Sequence, residues 1–135
     1  MPDILFALLG NTLLLAVLLL AQPLWRDVKH GMAYTLSSFD KRRPPTLGER
    51  RLAMVKNNQM ETLALLGSFA ILALATPAPE AATGLWAFIH IGSRIAYALV
   101  SLAGIPYLRS GFWTVSVAAL AVMAYPIAAA ALGGS

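Results

Sequence analysis

Four long apolar runs constrain this chain more than any other feature of its sequence. They cover about residues 4–24, 52–75, 85–103 and 107–132. A helix needs about 20 mainly apolar residues to cross a bilayer, and each run is close to that length. Only 12% of the residues are charged, whereas roughly a quarter are charged in a soluble domain. The sequence therefore predicts an all-α integral membrane protein, with residues 1–135 forming a single four-transmembrane-helix bundle.

Proline and glycine mark the ends of these runs. Pro77 and Pro79 follow the second run, and Gly104 and Pro106 separate the third from the fourth. The first run is not typical of a cleaved signal peptide, because the charged residue that precedes it is Asp3 and no basic residue does. The alternative, four buried helices of a larger soluble complex, fits the length of the runs poorly. The chain has no cysteine, which excludes a disulfide, a thiolate metal site and a cysteine nucleophile.

The positive charges are concentrated between the first two runs. The loop of residues 25–51 contains most of them: Arg26, Lys29, Lys41, Arg42, Arg43, Arg50 and Arg51. Residues 76–84 contain Glu80 and no Lys or Arg. The positive-inside rule predicts that the basic loop and Arg109 are cytoplasmic and that both termini are outside. We interpret the net charge of +4 as a signal that sets the orientation in the membrane and not as a sign of nucleic-acid binding. The alanine-rich, loop-poor chain indicates a bacterial inner membrane.

Two of the ionisable residues within the predicted spans carry opposite charges at the same predicted depth. Glu61 and Arg94 are each nine residues from the cytoplasmic end of their span, or roughly 13 Å below that surface. A charge there costs about 2.5–3.5 kcal/mol on insertion scales, so it should face protein or water. Because the two helices are antiparallel neighbours, the opposite charges are level. The sequence predicts an ion pair between them, within or between subunits.

Each charge belongs to a polar stripe with helical spacing. The stripe on the second helix contains Arg50, Asn57, Asn58 and Glu61, and the stripe on the third contains His90, Arg94, Tyr97 and Ser101. We expect the two stripes to form a wet groove with Arg109 and Ser110 at its mouth. The groove is either a structural polar seam or a site for an anionic, amine-bearing ligand, with Arg taking carboxylates and Glu61 an ammonium. Asn11 is expected to join helices, His90 to be a packed polar residue, and no metal site is expected.

These patterns resemble the MAPEG superfamily, the membrane-associated proteins in eicosanoid and glutathione metabolism. The segment Asn57-Asn58-Gln59-Met60-Glu61-Thr62 is similar to the family's second-helix motif. Residues 94–97 are similar to the third-helix motif, and Tyr107-Leu108-Arg109-Ser110 is similar to the start of the fourth helix. The resemblance covers the whole chain, including the basic first loop.

The resemblance implies a homotrimer that binds glutathione between subunits as a co-substrate. In enzymatic members the fourth-helix Arg stabilises the glutathione thiolate, and it maps onto Arg109. The residues that would bind glutathione are Asn58, Glu61, Arg94, Tyr97, Arg26, Arg50, Asn57 and Ser110. The chain departs from the family at Met54, where the family's enzymes carry Arg. Arg50 lies about 6 Å further along the same stripe and is the candidate substitute for that arginine. Ser101 and Trp113 stand where the family has Tyr.

The sequence leaves three functions to compare. The first is a glutathione-dependent transferase or peroxidase of the membrane that acts on lipophilic electrophiles arriving from the membrane lipid. The second is a non-catalytic lipid-binding scaffold of the same family, which Met54 and Ser101 favour. The third, a small transporter, is disfavoured because no span is broken at its midpoint.

Overall fold

The computed structural model describes residues 2–36 and 44–133, without the side chains of residues 34 and 35. Its helices are α1 (Asp3–His30), α2 (Met32–Thr35), α3 (Leu47–Ala75), α4 (Glu80–Ala103) and α5 (Pro106–Gly133). Four of them are long and apolar enough to cross a membrane, and the described residues contain no strand. This confirms the predicted all-α bundle of four transmembrane helices. Lys41, Arg42 and Arg43 of the predicted cytoplasmic loop lie outside the described residues.

Successive long helices run in opposite directions, so the bundle has two distinct ends. The terminal end carries the start of α1 and the end of α5. The basic end carries the last turns of α1, the first turns of α3 and the turn between α4 and α5. Helices α3 and α4 each pack against the other three long helices. The helices extend beyond the predicted spans, since hydropathy detects the apolar part of a helix and not its polar last turns.

At the basic end, side chains connect α1 to the start of α3. Thr46 and Glu49 form a capping box at the N-terminus of α3, which satisfies two backbone N–H groups that the helix leaves unpaired. Glu49 also forms an ion pair with His30 of α1, with 3.1 Å between Oε1 and Nε2. The Trp25 ring lies so close to Gly48 that a Cβ at this position would overlap it. These contacts explain why α3 begins several residues before the predicted span.

Helix α4 ends in a glycine turn that an arginine covers. Gly104 has φ +82°, a left-handed conformation that favours glycine. Arg51 of α3 donates from Nη1 to the Leu102 carbonyl at 3.5 Å, and its guanidinium lies where a Cβ of residue 104 would be. A cation at a helix C-terminus is favourable because the carbonyl groups there carry partial negative charge. This contact fixes α3 against the turn from which α5 begins.

The interior of the bundle has three layers along its axis. Toward the terminal end lies an apolar cluster of Ile4, Ala7, Leu66, Ala70, Ala87, Leu120, Met123 and Ile127. Toward the basic end lies a second apolar cluster of Leu18, Leu52, Val55, Tyr97 and Ala98. Between the two lies a layer of buried polar residues that includes Asn11, Gln59, His90, Arg94 and Ser116. This polar layer is the first part of the candidate site.

Candidate functional site

Three buried side chains in the polar layer form a hydrogen-bond chain across α1, α3 and α4. Asn11 donates its amide to the Ala7 carbonyl at 2.9 Å. Gln59 donates from Nε2 to the Asn11 carbonyl and to Asn11 Oδ1, both at 3.1 Å. Because the Gln59 amide nitrogen is used in this way, its oxygen is free to accept a bond from Arg94 Nε at 2.9 Å. The expectation that Asn11 joins helices is confirmed.

Arg94 is the largest of the fully enclosed side chains, with 1% of its surface exposed. Its guanidinium carbon lies 4.4 Å from the centre of the Tyr97 ring, a distance at which a cation is attracted to the ring face. Nη1 and Nη2 are buried without a hydrogen-bond partner. One turn earlier on α4, the Nδ1 atom of His90 is 2.9 Å from the Ser116 carbonyl. His90 is therefore a packed polar residue, as the sequence predicts.

The prediction that the two stripes face each other across a groove is wrong for the isolated chain. The α4 stripe, including Arg94 and Tyr97, faces the interior and is buried. The α3 stripe faces outward: Arg50, Asn57 and Glu61 are exposed. The physical reason is that the opposite face of α3 carries the residues that pack into the core. They recur at intervals of three and four: Leu52, Val55, Gln59, Thr62 and Leu66.

The predicted ion pair between Glu61 and Arg94, two residues that the structure describes, does not form within the chain. Glu61 has no hydrogen-bond or ion-pair partner within the part of the chain that the structure describes. Gln59, two positions earlier and on the opposite face of α3, bonds to Arg94 in its place. Because Arg94 is enclosed by its own chain, Glu61 of a second copy could not reach it without repacking of the bundle.

The side chain of Arg109, a residue of α5, lies against the outward-facing stripe of α3, which is called the outward stripe. It stands in the first turn of α5, and its Nη1 donates to the Met54 sulfur at 3.2 Å. Met54 lies four residues before Asn58 and seven before Glu61, so all three share one face of α3. The guanidinium is therefore roughly one helical turn, about 6 Å along the axis, from the level of Asn58.

The other predicted ligand-binding residues lie at different depths. Asn58 is half-buried, and its Oδ1 is enclosed without a hydrogen-bond partner. Ser110 is exposed and bonds to the Pro106 carbonyl one turn earlier. Arg26 is half-buried near the end of α1. The outward stripe with Arg109 and Ser110 thus forms an accessible polar surface, whereas Arg94 and Tyr97 are buried inside the bundle and are not part of that surface.

Sequence reasoning missed two contacts. Gln59 received no role, although a lone amide among the apolar residues of one helix face requires a buried partner. The contact of Met54 with Arg109 was not expected either, because Met54 was read only as a missing arginine. No signal in the sequence joins these residues, since they are 55 positions apart. Among the described residues, no group of three His, Asp or Glu side chains could hold a metal ion.

The four spans and the buried polar layer define the class of this molecule: it is an integral, multi-pass, all-α membrane protein. Its sequence matches the MAPEG family over residues 4–129, nearly the whole chain. The chain therefore belongs to the MAPEG family, which confirms the family predicted from the sequence. Membership makes it a membrane protein related to glutathione and eicosanoid metabolism. Comparisons with curated proteins and with solved structures find no match.

Proposed function

We propose that the protein is a glutathione-dependent transferase or peroxidase that acts on lipophilic electrophiles in the membrane. The observation that carries the proposal is the contact of Arg109 with Met54. It brings a cation from α5 to the same surface as Asn58 and Glu61. Glutathione has two carboxylates, one ammonium and one thiol, so it requires cations, an anion and hydrogen-bonding groups close together. The outward stripe and Arg109 supply all three.

Glu61 favours an amine-bearing ligand because it has no ion-pair partner among the described residues. Of the ten Lys and Arg residues, three lie within the predicted spans: Lys56, Arg94 and Arg109. Lys56 donates to Gln22 of α1 at 3.0 Å, and Arg94 is enclosed and bonded to Gln59. Arg109 contacts Met54, about two helical turns of α3 from the level of Glu61. The ammonium of a ligand would therefore neutralise Glu61 within the membrane.

A homotrimer is part of the proposal. In a lone chain Asn57 and Glu61 are exposed and would face lipid, where a carboxylate is expensive. A second copy that covers the outward stripe would exclude lipid from Glu61 and leave a polar space between the chains. Glutathione would occupy that space, and the lipophilic partner would arrive from the bilayer beside α5.

Arg109 would be the catalytic residue. An ordinary thiol has a pKa of about 8.5 and is mostly protonated at neutral pH. A guanidinium beside the sulfur favours the thiolate electrostatically. In conjugation the thiolate would form a carbon–sulfur bond at the electrophilic carbon of a lipophilic substrate, and the leaving group would depart with the electrons of the bond that breaks. In reduction of a hydroperoxide the thiolate would attack the outer oxygen and break the O–O bond, which releases an alcohol, and a second glutathione would convert the resulting sulfenic acid to the disulfide and water. Asn58 and Glu61 would hold the peptide ends of glutathione, with Arg50, Asn57, Ser110 and Arg26 at the mouth of the site.

A lipid-binding scaffold without turnover is the second candidate function. The observation that favours it is Met54, an apolar side chain in the middle of the polar stripe. Ser101, another departure from the family's enzymes, is 2% exposed and would not touch a ligand on the outward stripe. Met54 is therefore the residue on which the choice between the two functions depends.

The thiolate of bound glutathione tests the proposed function. With saturating glutathione, the wild-type protein should show thiolate absorbance near neutral pH. Arg109→Ala should lose that absorbance and the conjugation of a hydrophobic electrophile while keeping most glutathione binding. Each unit by which the thiol pKa rises corresponds to about 1.36 kcal/mol. Arg109→Lys should recover part of the signal, because it keeps the charge and loses the planar fork. A wild type that shows no thiolate signal would leave the scaffold as the remaining function.

A further inference from the structure

We infer that Met54 is a positioning residue, whose thioether holds the Arg109 guanidinium in the orientation that a ligand thiolate requires. The inference rests on the proposed function, and it assigns Met54 a role in place of the arginine that it lacks. Its basis is a contact between α3 and α5, 3.2 Å from Arg109 Nη1 to Met54 Sδ. Among the described residues, it is the one hydrogen bond that the Arg109 side chain forms.

Arg109 needs such an anchor because its surroundings do little to order it. It stands in the first turn of α5, next to exposed Leu108 and Ser110. A long, partly exposed Arg side chain loses rotamer entropy when it is fixed in one geometry. A contact that fixes the side chain before the ligand binds removes part of this cost from the binding step.

The thioether can hold Arg109 without blocking it. A guanidinium has five N–H donors, and the sulfur accepts one of the two on Nη1. The donors on Nη2 and Nε stay available for a thiolate. The sulfur is a weak, uncharged acceptor, so it neither neutralises the guanidinium nor competes with an anionic thiolate. An acidic residue at position 54 would do both, and an arginine there would repel Arg109.

Two substitutions distinguish the effect of the hydrogen-bond acceptor at position 54 from the effect of the side-chain volume there. Met54→Leu keeps the apolar bulk and removes the acceptor, whereas Met54→Gln keeps an acceptor, an amide oxygen one bond further from the backbone than the sulfur. The matched control is Met32→Leu, because Met32 is exposed on α2 and its sulfur forms no contact with Arg109. Each variant is purified as the full chain in detergent and saturated with glutathione, and the thiolate absorbance is followed against pH.

We expect Met54→Leu to raise the pH at which half of the bound thiol is ionised by about half a unit, a roughly threefold loss of thiolate near neutral pH. The dissociation constant for glutathione should stay within about twofold, because Arg109 acts on the sulfur and not on the peptide ends. Met54→Gln should titrate at or below the wild-type pH, and Met32→Leu should match wild type. If Leu and Gln variants titrate alike, the sulfur does not act as an acceptor and the inference is overturned.

A second measurement needs no ligand and separates this inference from the proposed function. Methionine methyl groups are labelled with carbon-13, and the Met54 signal is assigned from its loss in Met54→Leu. Arg109→Ala should move the Met54 methyl signal and leave that of Met32 in place. An unmoved Met54 signal refutes the contact whether or not glutathione binds. A wild type without thiolate absorbance, with a Met54 signal that does move, overturns the proposed function and with it the catalytic purpose of the contact.

Discussion

Arg94 shows how far single residues could be interpreted from the sequence. Its place inside a predicted span indicated a buried, partnered cation, and the structure encloses it in the bundle. The partner was predicted to be Glu61, because charge and depth matched. The structure gives Arg94 the oxygen of Gln59 and the ring of Tyr97. Depth can be counted along the sequence, but the face of a helix that enters the core depends on all of its apolar residues.

The bond between Gln59 and Arg94 should be a strong contributor to stability. Gln59→Leu removes the acceptor for Arg94 Nε and should lower the free energy of unfolding by about 1.5–3 kcal/mol, the usual range for a hydrogen bond to a charged group. Arg94→Met should also destabilise, because it leaves the Gln59 oxygen buried and unpaired. The double variant should lose less than the sum of the two single changes, as measured by denaturation in detergent. Additive losses would show that the two side chains act independently.

At the scale of the helices, the apolar runs and the proline and glycine positions were sufficient to predict four spans in the right order. The helix ends were predicted less well, because they depend on contacts between segments distant in sequence. Helix α3 begins at Leu47 through a capping box and the contact of Trp25 with Gly48. The turn after α4 depends on Arg51, more than 50 positions earlier. The polar stripes were correctly recognised as stripes, but their faces follow from the packing of the bundle.

Gly104 should be sensitive to the smallest substitution. Gly104→Ala places a methyl group at a left-handed residue and against the Arg51 guanidinium. The conformation alone should cost about 1–3 kcal/mol, seen as a lower melting temperature in detergent. The matched control is Gly92→Ala on the same helix, where nothing lies within 4 Å of an added Cβ and alanine should be neutral or stabilising. Equal effects of the two changes would mean that the turn is not constrained.

At the scale of the whole molecule, the structure of one chain leaves its polar stripe uncovered. The exposed position of Glu61 within a predicted span supports an assembly in which another copy covers it. The proposed homotrimer predicts that light scattering corrected for bound detergent reports three chains per particle. Glu61→Leu should leave the chain folded, because Glu61 has no partner in the part of the chain that the structure describes. A stable monomer in several mild detergents would remove the site between subunits.

The account depends most on glutathione binding at the outward stripe, and calorimetric titration of the solubilised protein tests this directly. We expect saturable binding with no more than one glutathione per chain. Glu61→Gln should weaken it at least about tenfold, because a bond between charged groups is lost. The control Glu80→Gln, at the exposed start of α4, should bind like wild type. Binding heat that is absent in the wild-type protein, or unchanged in Glu61→Gln, would contradict the account.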